Sequence, residues 1–129
     1  MRAEGGSRDL TQRTRDFALR IVRLYASLPN TTVAQVMGKQ LLRAGTSVGA
    51  HYREAQRARS TAEFVSKIDV GRQELEETMY WLELLREGGG MKAEGGMEKE
   101  IMSLHAECNE LMAILTACAR NAKARRNEP

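Results

Sequence analysis

The chain has 129 residues and a formal net charge of +3, and it is rich in Ala, Leu, Glu, Arg and Met, with only two prolines. Its length suits one domain, residues 1–129, with a hydrophobic core of its own. No apolar run approaches the roughly 18 residues of a membrane span. The first ten residues, MRAEGGSRDL, also lack the apolar core of a secretion signal. We therefore expect a cytoplasmic protein that does not enter a membrane.

Two helices are predicted in the first half of the chain, where apolar residues alternate at spacings of three and four. The first spans about 10–28, because Asp9 or Thr11 can cap its start and Pro29 ends it. The second spans about 32–57, and Thr31 or Thr32 can cap its start. No period-two pattern competes with these helices.

The second half of the chain repeats this organisation. A capping box at residues 60–63 opens a third helix, predicted at 61–87. Five glycines in nine positions make 88–96 a flexible linker. A fourth helix is predicted at 97–122, and it overlaps a basic tail at 120–129. Together the four segments predict an all-α, antiparallel, up-down-up-down four-helix bundle.

Two features of this bundle are candidate subunit contacts. The middle of the second helix is built from small residues, among them Gly45 and Gly49. They indicate either a close helix crossing inside the chain or a groove that another subunit or a ligand approaches. Tyr80 and Trp81 are adjacent on the third helix, so one of them points away from the core. That residue is either a contact for a second subunit or an ordinary, partly buried side chain.

The sequence contains few of the residues that catalysis or metal binding requires, because both need several polar side chains that converge on one point. The chain has two histidines, and Ser47 has no identifiable base to activate it. A weaker alternative is a metal-binding bundle centred on His51, Glu54 and Glu74, although the paired Glu-x-x-His motifs of di-iron bundles are missing. Cys108 and Cys118 are too far apart along one helix to bridge each other. We expect no enzyme activity, no cofactor and no metal.

Charge is distributed unevenly. Residues 1–59 carry eleven Lys and Arg against four Asp and Glu, and residues 60–129 carry nine against thirteen. Arginine suits phosphate because its planar fork donates two parallel hydrogen bonds. Our candidate nucleic-acid contacts are Arg13, Arg20, Arg43, Arg53, Arg57, Arg59, Arg120, Lys123, Arg125 and Arg126. An ordinary solvated surface with cations that stabilise helix ends, or a surface for an acidic protein, would have the same composition.

Two stretches resemble one protein family. Residues 40–55 (QLLRAGTSVGAHYREA) and residues 63–82, with EFVSKI and ELEETMYWL, are similar to the signatures of bundle proteins encoded in bacterial 23S rRNA intervening sequences. The similarity covers roughly residues 10–120. The chain departs from the family pattern at His51, where asparagine is more usual, and in its longer glycine-rich linker.

The resemblance implies a ring-shaped homo-oligomer, a pentamer, without established enzyme activity. It also implies a fold shared with the accessory proteins of diversity-generating retroelements, which bind nucleic acid and a reverse transcriptase. Family-characteristic positions match Arg43, Ser47, Glu54, Glu74 and Trp81. We expect a polar network between the second and third helices, in which Arg43 or Arg53 pairs with Glu74 or Glu77.

The leading hypothesis is therefore a non-enzymatic, oligomeric accessory protein that binds RNA or DNA. The alternative is a scaffold that binds another protein, such as a reverse transcriptase, without nucleic acid.

Overall fold

The chain folds into four helices. The computed structural model describes residues 2–91 and 95–126, with side chains from Asp9 onward. The helices are α1 (Arg2–Ala26), α2 (Thr32–Gln56), α3 (Thr61–Gly88) and α4 (Gly96–Arg126), and the described ranges contain no strand. Each helix packs against its neighbour in sequence, and α1 also contacts α4. The predicted all-α bundle is confirmed.

The first helix differs from its prediction at both ends. It begins at Arg2, eight residues before the expected start, and so continues through Gly5 and Gly6, although glycine disfavours a helix. It ends at Ala26, ahead of Pro29, but Leu28 still packs into the core with 8% exposure.

Side-chain caps begin α2 and α3. Thr31 accepts a hydrogen bond from the Ala34 N–H at 3.1 Å, and Ser60 accepts one from the Glu63 N–H at 3.0 Å. The Glu63 carboxylate accepts from the Arg59 N–H, one residue before the cap. Each bond satisfies a backbone N–H near a helix start, so the sequence marks these starts accurately.

The predicted linker, 88–96, is partly helical at its ends. Gly88 is the last residue of α3 and Gly96 the first of α4, while residues 92–94 lie outside the described ranges. A Cβ on Gly89 would lie 2.5 Å from the Leu85 carbonyl oxygen, and Gly90 has a φ of +75°. These two positions therefore require glycine. The helix α4 continues to Arg126, and residues 127–129 of the predicted tail are also outside the described ranges.

The core lies along the bundle axis and receives side chains from every helix. Its largest fully buried members are Phe17, Ile21, Leu41, Val48, Ile68, Leu75, Leu82, Leu85, Ile101, Leu104, Leu111 and Leu115. The two buried threonines donate to carbonyls one turn earlier, Thr14 to Leu10 and Thr78 to Glu74, which satisfies their hydroxyls.

Gly45 and Gly49 lie where α1 crosses α2. A Cβ on Gly45 would come 2.8 Å from Ile21 Cγ1, and one on Gly49 would come 3.0 Å from Thr14 Oγ1. Both glycines are buried. The expectation that they form a subunit interface is corrected: α1 of the same chain covers them, because only a residue without Cβ admits the helix so closely.

None of the helices in the described ranges is long and apolar enough to cross a membrane.

Candidate functional site

Two of the arginines predicted to bind nucleic acid are paired inside the chain. Arg13 donates from Nε and Nη2 to the two carboxylate oxygens of Glu107 at 2.6 and 2.8 Å, and Nη2 also reaches Glu110 at 3.0 Å. Arg20 makes the same two-pronged contact with Glu100 at 3.0 and 3.2 Å. These hydrogen bonds raise the pKa of both guanidinium groups above the usual value. Both arginines thus join α1 to α4 and are not free for phosphate.

Arg43 is also paired. It donates to Glu77 at 2.6 Å and to Glu74 at 3.4 Å, which links α2 to α3. The hydrogen bond with Glu77 raises the pKa of Arg43. Of the two arginines considered for this network, Arg43 makes the contact. The Ser47 hydroxyl donates to the Arg43 carbonyl at 2.7 Å, a bond within α2.

His51 lies between two carboxylates. Its Nδ1 is 3.5 Å from a Glu54 oxygen, and its Nε2 is 3.7 Å from a Glu74 oxygen. Nδ1 is buried without a hydrogen bond of good geometry. Lys67 lies 3.1 Å from Glu54, and its hydrogen bond lowers the pKa of that carboxyl. The polar network therefore extends beyond its predicted members to His51 and Lys67.

The alternative of a metal centre at His51, Glu54 and Glu74 is corrected by this geometry. The two carboxylates face opposite nitrogens of one imidazole ring, so the three side chains do not converge on a common point. Across the described part of the chain, no group of three His, Cys, Asp or Glu side chains is arranged to hold a metal ion.

The remaining predicted cations collect where α2 and α4 end and α3 begins. We call this set the cationic end: Arg53, Arg57, Arg59, Arg120, Lys123, Arg125 and Arg126. All are exposed, and none forms an ion pair with another described residue. The antiparallel order of the helices brings the α2–α3 turn beside the last turn of α4, so Arg59 becomes a neighbour of Arg125 and Arg126.

A cleft of about 420 Å³ lies within the cationic end. Arg59, Arg125 and Arg126 line it together with Ser60, the α3 cap, and Phe64 in the first turn of α3. Phe64 is partly buried and packs against the core. Sequence reasoning assigned Phe64 to the core stripe and missed its place beside the arginines; its position four residues after the α3 cap was the available signal.

Tyr80 is the residue of the aromatic pair that points outward, with 54% exposure. Its ring meets Trp81 edge to face at 5.1 Å, while Trp81 packs against the core. Val33 and Val36 on α2 are similarly exposed, at 54% and 57%. The sequence pattern did not single out these valines, although their place off the apolar stripe of α2 was visible.

These features define a class: a small all-α bundle in which Arg13, Arg20 and Arg43 pair with carboxylates of neighbouring helices, while the cationic end has no ion pair among the described residues. The sequence model of the 23S rRNA-intervening sequence protein family matches residues 7–117. The chain therefore belongs to that family, as its two signature stretches indicated.

A crystal structure from Bacteroides thetaiotaomicron is similar to this chain. It is a protein of unknown function from the S23 ribosomal protein family, with 35% sequence identity and a TM-score of 0.77. The match covers 88% of this chain and 97% of that one. Among proteins with curated descriptions, none matches this chain.

Proposed function

We propose that the chain is a non-enzymatic, homo-oligomeric accessory protein that binds nucleic acid through its cationic end. The observation that carries the proposal is the contrast between two sets of arginines. Arg13, Arg20 and Arg43 have carboxylate partners, whereas the arginines of the cationic end have none among the described residues. Exposed guanidinium groups without partners are available to phosphate oxygens.

Stabilisation of helix ends explains only part of this set. Cations in the last turns of α2 and α4 are favoured by the negative ends of those helix dipoles. Arg59 is different, because it directly precedes Ser60, the N-cap of α3, where the dipole is positive and a cation is disfavoured. The Glu63 carboxylate offsets part of that repulsion, and an anion bound in the cleft would offset more.

Salt dependence tests the proposal. Because bound phosphates release condensed counterions, the logarithm of affinity for a labelled oligonucleotide should fall linearly with the logarithm of salt concentration. The Arg57→Glu/Arg59→Glu variant should weaken binding at every salt concentration and make the slope shallower. Its matched control is Arg23→Glu/Lys39→Glu, an equal change of charge at exposed residues nearer the other end of the bundle. An affinity that does not change with salt concentration, or an equal loss of affinity in both variants, would refute the proposal.

We further propose assembly into a ring-shaped homo-oligomer, a pentamer. The exposed apolar side chains of Val33, Val36 and Tyr80 support a contact between copies, since their burial would remove apolar surface from water. Light scattering after size-exclusion chromatography reads the mass against the 14.4 kDa of one chain. Tyr80→Ser should shift the assembly toward single chains, and Tyr80→Phe should not. A monomeric wild-type protein would refute assembly without affecting the binding proposal.

A protein scaffold is the second candidate function, favoured by the same exposed apolar side chains. An aromatic residue such as Tyr80 is a frequent anchor in protein contacts. Purification with nuclease treatment separates the two candidates. One stoichiometric protein that stays bound after nuclease treatment favours the scaffold, whereas nucleic acid that co-purifies and is lost with nuclease favours the leading proposal.

A further inference from the structure

The cleft in the cationic end has two chemically different walls. Arg59, Arg125 and Arg126 supply positive charge, and Phe64 with Ala122 supplies an apolar surface. A site for phosphate alone needs only the charged wall. The combination matches a nucleotide, which carries an anionic phosphate and a flat aromatic base.

The volume of the cleft and the residues that line it are compatible with a bound nucleotide. About 420 Å³ lies within the range of about 300–1,000 Å³ that is usual for small-molecule sites. Phe64 is only partly buried, so part of its side chain remains at the cleft wall while the rest packs against the core. Successive bases of a single strand stack on aromatic side chains of this kind, whatever their sequence.

Duplex nucleic acid fits the cleft less well. Its bases are stacked and paired inside the helix, so it presents phosphates to the three arginines and no base to Phe64. A single strand can offer both groups at once. The apolar wall therefore distinguishes the two forms, whereas the arginines do not.

We propose that this cleft holds one nucleotide of a single-stranded polynucleotide, with the phosphate on Arg59 and Arg125 and the base against Phe64. The inference rests on the proposed function and adds the class of ligand and the residues that select it. Ser60 and Thr61, at the start of α3, also line the cleft. The positive end of the α3 dipole adds to the field of the arginines there.

The test is fluorescence anisotropy with labelled strands about 12 nucleotides long, as DNA and as RNA, and with the matching DNA duplex. The wild type should bind at least one single strand more tightly than the duplex. Phe64→Leu keeps an apolar side chain of similar size but loses the ring. It should weaken binding of that strand about fivefold or more and leave duplex binding and the salt slope unchanged.

Two further variants complete the design. Phe64→Tyr retains the ring and should bind the single strand as the wild type does, and a melting curve for each variant shows that the bundle is folded. Arg59→Gln/Arg125→Gln should weaken both single-strand and duplex binding. It should also reduce the single-strand salt slope by about 0.7 for each phosphate that the variant no longer neutralises.

The outcomes separate the two proposals. If folded Phe64→Leu binds single strands as well as the wild type, or if the wild type prefers duplex, the nucleotide cleft is refuted while the proposed function stands. If the wild type binds neither strand nor duplex at about 50 mM salt, the proposed function fails as well.

Discussion

Arg13 on α1 and Glu107 on α4 form a two-pronged ion pair, with nitrogen–oxygen distances of 2.6 and 2.8 Å across 94 positions of sequence. Their side chains are only 29% and 19% exposed. The α1–α4 interface is the least extensive of the four helix interfaces. One ion pair is therefore a larger share of the contacts that hold α1 against α4 than it would be at the other interfaces. Partial burial and two parallel hydrogen bonds also make it stronger than an ordinary surface pair.

We predict that Glu107→Gln lowers the free energy of unfolding by about 1 kcal/mol, because Arg13 loses its charged partner. Urea denaturation of the wild type, Glu107→Gln, Arg13→Gln and the double variant gives the coupling between the two residues. Glu76→Gln is the control, since Glu76 is exposed and has no ion pair with any described residue. Additive single and double variants would contradict the pair's role.

Replacing Gly45 with alanine and replacing Gly71 with alanine should have opposite effects on the free energy of unfolding. Gly45→Ala forces a Cβ to within 2.8 Å of Ile21 Cγ1 in a fully buried environment, so unfolding free energy should fall by about 1–3 kcal/mol. At Gly71 the nearest atom would be 3.6 Å away, an ordinary contact. Gly71→Ala should therefore raise the unfolding free energy by about 0.5–1 kcal/mol through helix propensity. Thermal melting of both variants provides the measurement, and equal effects would show that α1 and α2 cross less tightly than these distances require.

The two cysteines should differ in reactivity. Burial raises the pKa of the Cys108 thiol to about 12, and it raises that of the half-buried Cys118 thiol in the same direction. Because only the thiolate attacks a disulfide reagent, native protein near pH 8 should react at Cys118 first and at Cys108 only as the bundle opens. Mass spectrometry after timed labelling assigns the sites, with guanidinium-unfolded protein as the control. Early labelling of Cys108 would contradict its burial.

Glu54 should contribute stability that depends on pH. The Lys67 hydrogen bond holds the pKa of Glu54 below its ordinary value of 4.5, with a smaller effect from His51. A carboxyl whose pKa is lower in the folded state stabilises the fold above its unfolded pKa, and this contribution disappears as the pH falls through the folded value. Glu54→Gln should thus be less stable than the wild type at pH 7 and equal to it well below pH 4.5. Denaturation at both pH values tests this, and a constant difference would contradict it.

The fold was largely predictable because its signals are local. The caps Thr31 and Ser60 begin helices as their residue types indicate, and Pro29 follows the end of α1. The start of α1 was missed because Asp9 is a good cap residue and Gly5 and Gly6 disfavour a helix, yet α1 extends through them to Arg2.

The site was predictable only in part. The sequence placed the basic ends of α2 and α4 together, whereas the cleft joins Arg59 of the α2–α3 turn to Arg125 and Arg126 of α4. It could not separate paired from unpaired arginines: Arg13, Arg20 and Arg59 look alike in sequence. It also left open whether Gly45 and Gly49 meet a second subunit or α1, because a small residue permits either approach.

The amino-acid sequence by itself determined the helices, their number and their apolar faces, because periodicity and capping act within a few residues. Only the tertiary structure decided which charges are neutralised. Ion pairs such as Arg13–Glu107 join residues far apart in sequence, and they depend on the register between antiparallel helices and on side-chain conformation. That same register leaves Arg59, Arg125 and Phe64 around one cleft, where the arginines find no acidic partner among the described residues.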